Sequence, residues 1–243
     1  MKIDELLRAS DGALARIFSR LTADVASRAA LPERDRRLAV LSACMGCGGT
    51  DAFRAELADA LDAGFPPEAA REAVMQATAY LGMGRAFPFV QAAAIFAVDG
   101  VSFPPEPEDG GDRAARGEAM QVAIFGEGMR GFHASGDALA RPVNLLLSEN
   151  CFGDYYVRGG LSARERELVT FCLLAAQGGC EAQLAGHVAG NFNVGNDAAY
   201  LGVLPVRVFS LYLGKAVLCI LPWIGYPRSL NALACVRNAA QKS

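Results

Sequence analysis

Apolar residues along this chain recur at helical spacing. Ser162 with Glu165 three residues on is a capping-box pattern, which predicts a helix starting near Ala163. Leu168, Phe171, Cys172 and Ala175 then follow at i, i+3, i+4 and i+7, forming one apolar face. Gly178-Gly179 breaks this helix, and a second is expected from about Cys180 to Phe192. Earlier in the chain, Pro66-Pro67-Glu68 opens a helix carrying Val74, Thr78 and Leu81 on one side. Another helix is expected from Pro88 to Val98. No stretch alternates apolar and polar residues as a half-buried strand would, and alanine is frequent throughout. The expected fold class is all-α.

The pattern repeats. Residues 31–57 read LPERDRRLAVLSACMGCGGTDAFRAEL, and residues 161–187 read LSARERELVTFCLLAAQGGCEAQLAGH. At a constant offset of 130, Leu31, Arg34, Arg36, Leu38, Gly48, Gly49, Ala52 and Ala55 recur identically, while Asp35 and Asp51 recur as Glu165 and Glu181. Further on, Tyr80-Leu81-Gly82-Met83-Gly84-Arg85 aligns with Trp223-Ile224-Gly225-Tyr226-Pro227-Arg228 at an offset of 143. The second copy therefore carries about 12 extra residues between Gly195 and Trp223. Residues 101–113, VSFPPEPEDGGDR, are rich in Pro, Gly and acid and read as a linker. The chain divides into a first repeat over 1–100, the linker over 101–113 and a second repeat over 114–243.

Composition narrows the function classes. Of 243 residues, 52% are hydrophobic and 20% charged, enough for a large core and too apolar for disorder. The net charge of −3 gives no basic stripe for nucleic acid, and no basic amphipathic segment points to a membrane surface. The uncharged run from Ala216 to Pro227 is too short to span a bilayer and reads as core or subunit interface. Seven irregularly spaced cysteines and no signal-peptide pattern make the cytoplasm the expected compartment.

Histidine is scarce, at His133 and His187. Cys180 and Leu184 share a helix face with His187, and Cys180 falls in the first turn after Gly178-Gly179, where free N–H groups favour a thiolate. If the two helices pack antiparallel, Glu167 approaches His187 and fixes its tautomer. Glu167, Cys180 and His187 are therefore an acid, a thiol and a base in one candidate site. A cysteine in an Ala-rich helical chain is more often a small buried hydrophobe, and a helical Glu is more often solvated. Cys44-Met45-Gly46-Cys47 ends a helix, where the dipole disfavours a thiolate, so a redox role is not its main reading. No second Cys pair or His pair completes a zinc set, and the Gly-x-Gly patterns follow no strand. Neither a metal nor a cofactor is expected.

The stretch Gly178-Gly179-Cys180-Glu181-Ala182-Gln183-Leu184-Ala185-Gly186-His187, with Glu167 before it and Asn193-Val194-Gly195 after it, resembles the carboxymuconolactone decarboxylase family, which includes the alkylhydroperoxidase D proteins. Asn150 to Tyr156 and Pro222 to Leu233 are similar to other parts of the same family. The resemblance implies an all-helical homo-oligomer with sites in clefts between helices or subunits. In the antioxidant peroxidase branch a Glu, a Cys-x-x-Cys pair and a His form a thiol relay served by an external thiol reductant. Glu167, Cys180 and His187 match the acid, the first Cys and the base, but Gln183 stands where the second Cys belongs. In the decarboxylase branch the acid and the His act on a small lactone acid. The first reading is therefore acid–base chemistry, decarboxylation or proton transfer, on a small organic acid or lactone. The alternatives are peroxiredoxin-type thiol redox at Cys180, and a non-catalytic oligomer that binds a ligand or partner. Gln183, Tyr155 and Arg37 are the expected substrate contacts. Arg37, Thr50 and Leu57 occupy the first repeat's positions for Glu167, Cys180 and His187, so that repeat is expected to be a degenerate copy.

Overall fold

In a computed structural model of the chain, residues 3–95, 111–196 and 209–241 are described. They form helices, with no strand among the described residues. The first repeat contains α1 (Ile3–Ser10), α2 (Gly12–Arg28), α3 (Glu33–Gly46), α4 (Thr50–Asp62), α5 (Pro67–Leu81) and α6 (Met83–Ile95). The second contains α7 (Arg113–Phe125), α8 (Ala140–Leu146) running directly into a π-helix (Leu147–Tyr155), α9 (Ala163–Gln177), α10 (Glu181–Asn193) and α11 (Phe209–Ala240). No described helix is long and apolar enough to cross a membrane.

The two LxxRxR segments become the central helices, α3 and α9. Every residue of α9 from Glu165 to Ala176 is buried, and α3 is buried over most of its length. They cross closely because Gly46 has no side chain: a Cβ there would lie 2.5 Å from the Leu173 carbonyl oxygen and 2.7 Å from Ala176 Cβ. The repeats share their core. One cluster joins α2 to α6 with Val169 and Leu173 of α9 and Cys219 of α11, and the other joins Ala39 and Ala43 of α3 with α9, α10 and α11. Burying apolar faces of both copies against each other is the main stabilising term.

Residues that recur in the sequence make reciprocal contacts across this interface. Arg34 pairs with Glu165, and its counterpart Arg164 pairs with Asp35 at 2.8 Å. Arg85 donates to the Gly46 carbonyl at 3.1 Å, and its counterpart Arg228 donates to the Ala176 carbonyl. Gly82 ends α5 at φ 74°, and its counterpart Gly225 breaks α11 at φ 75°. Both conformations favour glycine, and both let the chain turn and start a new helix at once. Each recurring pair serves one role on each side of an approximate twofold axis within the chain.

The expected helix from Pro88 to Val98 starts earlier, at Met83, with Pro88 inside α6. The missing N–H of Pro88 withholds a bond only from the Gly84 carbonyl, at an exposed turn that water can reach. Residues 96–98 lie outside the described residues, as do 101–110 of the expected linker and 197–208 of the extra segment. Asp112 caps α7, accepting from the Ala115 N–H at 3.0 Å, so the helix takes up Arg113. The described end of the extra segment enters the core through Leu213, Ala216 and Val217.

Candidate active site

The capping box at Ser162 and Glu165 is present and sets the start of α9. From there Glu167 falls in the second turn, fully buried. A buried carboxylate needs partners, and α9 is enclosed on all sides, so they come from other elements. Gly178 and Gly179, both at positive φ, turn the chain and let α10 run back along α9. This brings His187 Nδ1 to 2.9 Å from Glu167 Oε2. Asn191 locks the two helices, donating to the Glu167 carbonyl at 2.9 Å and the His187 carbonyl at 2.7 Å. Gly190 makes the close approach possible: a Cβ there would lie 2.5 Å from Glu167 Oε2 and 2.7 Å from the Phe125 ring.

The second carboxylate oxygen is also taken. Tyr156 donates its hydroxyl proton to Glu167 Oε1 at 2.9 Å. The Tyr156 oxygen lies 2.8 Å from the Tyr80 hydroxyl and 2.7 Å from Thr170 Oγ1. Tyr80 comes from α5 in the first repeat and reaches His187 Nε2 at 3.4 Å. Gln76, one turn before it, donates to Thr170 Oγ1 at 2.7 Å and accepts from Arg166 at 3.0 Å. Burial pushes both tyrosine hydroxyls well above their ordinary range, with the Glu167 charge acting in the same direction. They remain proton-bearing donors. In the tautomer whose Nδ1–H donates to Glu167, Nε2 is the ring nitrogen that carries the lone pair.

Nε2 faces a cavity of about 760 Å³. The imidazole ring stands between Tyr80 and Phe125, edge-on to each at 5.4 Å between centroids. Cys151, Phe152, Leu147 and Met129 form the apolar side of the cavity, and Cys180 and Gln183 line its α10 side. Burial pushes the Cys151 thiol up to about 12.

Cys180 is the residue before α10 rather than part of its first turn. Its Sγ lies 3.5 Å from the Leu174 carbonyl oxygen. Burial raises the thiol pKa, Glu181 adds to the rise, and Arg85 opposes it. Desolvation and a neighbouring carboxylate thus act against the thiolate expected at this helix N-terminus. In the first repeat, Cys44 is fully buried near the end of α3 and is also raised by burial.

Two other expectations are corrected. Tyr155 does not line the cavity; its neighbour Tyr156 carries the hydroxyl that reaches Glu167. The segment before it is a π-helix over Leu147–Tyr155, an element that no spacing in the sequence announced. Asp154 is likewise turned outward, onto Arg113 and Asn150. Arg37 does not face the cavity either. It pairs with Glu33 at 2.7 Å and Asp59 at 2.5 Å, and lines a separate cavity of about 300 Å³. Glu33, one turn earlier on the same helix, was the sequence signal for that pairing. Tyr80, Tyr156 and Gly190 were missed by sequence reasoning. The alignment of Tyr80 with Trp223, which lines the 300 Å³ cavity, was the available pointer to Tyr80.

Among the described residues, no group of three or more His, Cys, Asp and Glu is gathered as a metal site. A family model described as the carboxymuconolactone decarboxylase family matches residues 12–94 and 143–210. No curated protein matches the chain.

Proposed function

This chain belongs to the carboxymuconolactone decarboxylase family, and we propose that it is an acid–base enzyme acting on a small carbonyl compound through His187, with Glu167 as its orienting partner. The observation that carries this reading is the state of the imidazole: Nδ1 is held at 2.9 Å by a buried carboxylate, while Nε2 looks into a cavity. A base so held keeps one tautomer and offers its lone pair to the ligand.

Two reactions use the same parts. In proton transfer, Nε2 takes a proton from the carbon next to a carbonyl. The C–H pair moves into the carbonyl as an enolate, and the imidazolium returns the proton to the same or a conjugated carbon. In decarboxylation, the C–C pair left by carbon dioxide enters the carbonyl, and an imidazolium delivers the proton. Tyr80, 3.4 Å from Nε2 and 2.8 Å from Tyr156, bridges the base to the hydroxyl that holds Glu167. Cys180, with its thiol raised, is a wall of the cavity rather than a nucleophile.

The test is deuterium wash-in from D2O at the carbon beside the carbonyl of lactones and keto acids, read by NMR. His187→Ala is expected to lower exchange by about 10²–10⁴, and Cys180→Ser to leave it within a few-fold. Hydroperoxide consumption with a dithiol, lost in Cys180→Ser and kept in His187→Ala, would overturn the reading.

A further inference from the structure

The lining of the main cavity narrows what it binds. Apart from His187, none of its described lining residues carries a charged side chain. The carboxylate of Glu167 lies directly behind the imidazole. A ligand carboxylate entering this space would lose its hydration and gain no guanidinium or ammonium partner from the lining. The lining does hold neutral amides. Gln121 is fully buried, and its Oε1 accepts from Ser148 Oγ at 2.7 Å. Its Nε2 has no hydrogen-bond partner. Gln121 is a lining residue of the cavity whereas Ser148 is not, and its unpartnered nitrogen is buried behind that lining. A second lining amide, Gln177, has a buried Oε1 without a partner. An orphaned buried donor is destabilising, and an acceptor oxygen from a ligand would satisfy it.

The position of Gln121 is set by close packing. Gly117, Gln121 and Phe125 share one face of α7 at spacings of four. Gly117 lets that face press against the π-helix, where a Cβ would lie 1.8 Å from the Ser148 carbonyl oxygen. Phe125 meets the His187 ring one turn further on. Gln121 therefore sits one helical turn along α7 from Phe125, the residue that meets the His187 ring, and Gln121 and His187 line the same cavity.

We propose that the ligand is a neutral carbonyl compound, a lactone or cyclic enone rather than a carboxylate, whose carbonyl oxygen accepts from Gln121 Nε2 while His187 Nε2 moves the proton on the adjacent carbon. This rests on the acid–base reading and narrows it to proton transfer. The C–H bond breaks, the proton goes to Nε2, and the electron pair forms an enolate whose oxygen Gln121 holds. Return of the proton to the same or the conjugated carbon completes a redox-neutral exchange or isomerisation that needs no co-reactant.

Two probes test it: a five-membered lactone, and the same ring bearing a free carboxylate. Binding is followed by the Gln121 side-chain amide resonance in 15N-labelled wild-type protein, and chemistry by deuterium wash-in. The neutral lactone is expected to shift that resonance and to exchange at least tenfold faster than its carboxylate analogue. Gln121→Met is expected to lower exchange about 10²-fold, and Ser148→Ala, which frees the amide, to lower it less. Faster exchange of the carboxylate analogue, still lost in His187→Ala, would overturn the ligand class and leave the acid–base reading standing. An unmoved Gln121 resonance at saturating lactone would overturn the inference whether or not the Gln121 variant folds. Exchange of neither probe, with peroxide turnover through Cys180, would overturn both.

Discussion

Two cavities among the described residues occupy corresponding places in the two repeats and differ in their electrostatics. In the second repeat, Glu167 on α9 faces His187 on α10, and the aromatic Tyr80 arrives from the first repeat. In the first repeat, Arg37 on α3 stands at the Glu167 position and Leu57 on α4 at the His187 position, with Trp223 arriving from the second repeat. Trp223 packs edge-on against Phe18 at 5.5 Å. One site therefore has a buried acid holding a base against a cavity of about 760 Å³, and the other a cation neutralised by Glu33 and Asp59 beside about 300 Å³. The scaffold contacts, Arg34 with Glu165 and Arg164 with Asp35, serve both repeats alike. The difference teaches that the backbone frame and its side-chain pairings are separable: a few side chains give the same frame an acid–imidazole pair in one repeat and a neutralised guanidinium in the other. It also shows why neither repeat is complete alone, since each cavity takes one of its aromatic residues from the other.

Four substitutions or measurements would break or sharpen this contrast. Gly190→Ala should have the largest effect, because its Cβ would meet Glu167 Oε2 at 2.5 Å and Phe125 at 2.7 Å with no room for either to move. Steady-state exchange should fall at least 10²-fold, and denaturant unfolding should show a loss of about 1–3 kcal/mol. Near-normal activity in that variant would mean that the Glu167–His187 contact is not needed. Arg37→Ala should cost about 1–3 kcal/mol by removing the charged hydrogen bonds of Arg37 to Asp59 and Glu33, of which Glu33 keeps its pairing with Arg36. Its KM should be unchanged, and a raised KM would restore Arg37 as a substrate contact.

Tyr80→Phe removes the hydroxyl between Tyr156 and His187. Turnover should fall about tenfold, the equivalent of one hydrogen bond, whereas Trp223→Phe at the matching position should leave turnover unaltered. Equal effects from the two would contradict the assignment of one chemical and one structural cavity. The smallest effect concerns Cys180. Because burial and Glu181 raise its thiol pKa, the thiolate fraction at pH 8 is below that of free cysteine and grows only as pH rises further. Peptide-resolved alkylation at pH 8 should be slower than for a free thiol and insensitive to His187→Ala. Fast alkylation that depends on the histidine would return Cys180 to the role of nucleophile.

What could be read in the sequence depended on local spacing. The capping box, the Gly178-Gly179 turn and the antiparallel helix pair follow from near neighbours, and those alone bring Glu167 and His187 together. The tandem repeat announced the reciprocal Arg and acid residues before their partners were known. Tyr156 was missed because Tyr80, Glu167 and Thr170 meet its hydroxyl only through packing, and Arg37 was misplaced because its distant partner, Asp59, becomes its neighbour only in the same way.

By itself, then, the sequence determined the helical class, the doubled frame and the acid–base pair, because capping, glycine turns and 3.6-residue periodicity act over a few residues. The tertiary structure alone decided which aromatic closes each cavity, which way the thiols titrate, and that the Gln121 amide is left with a free donor. Burial and partners are properties of the packed whole: Tyr80 and His187 lie 107 residues apart and meet only when one repeat folds against the other.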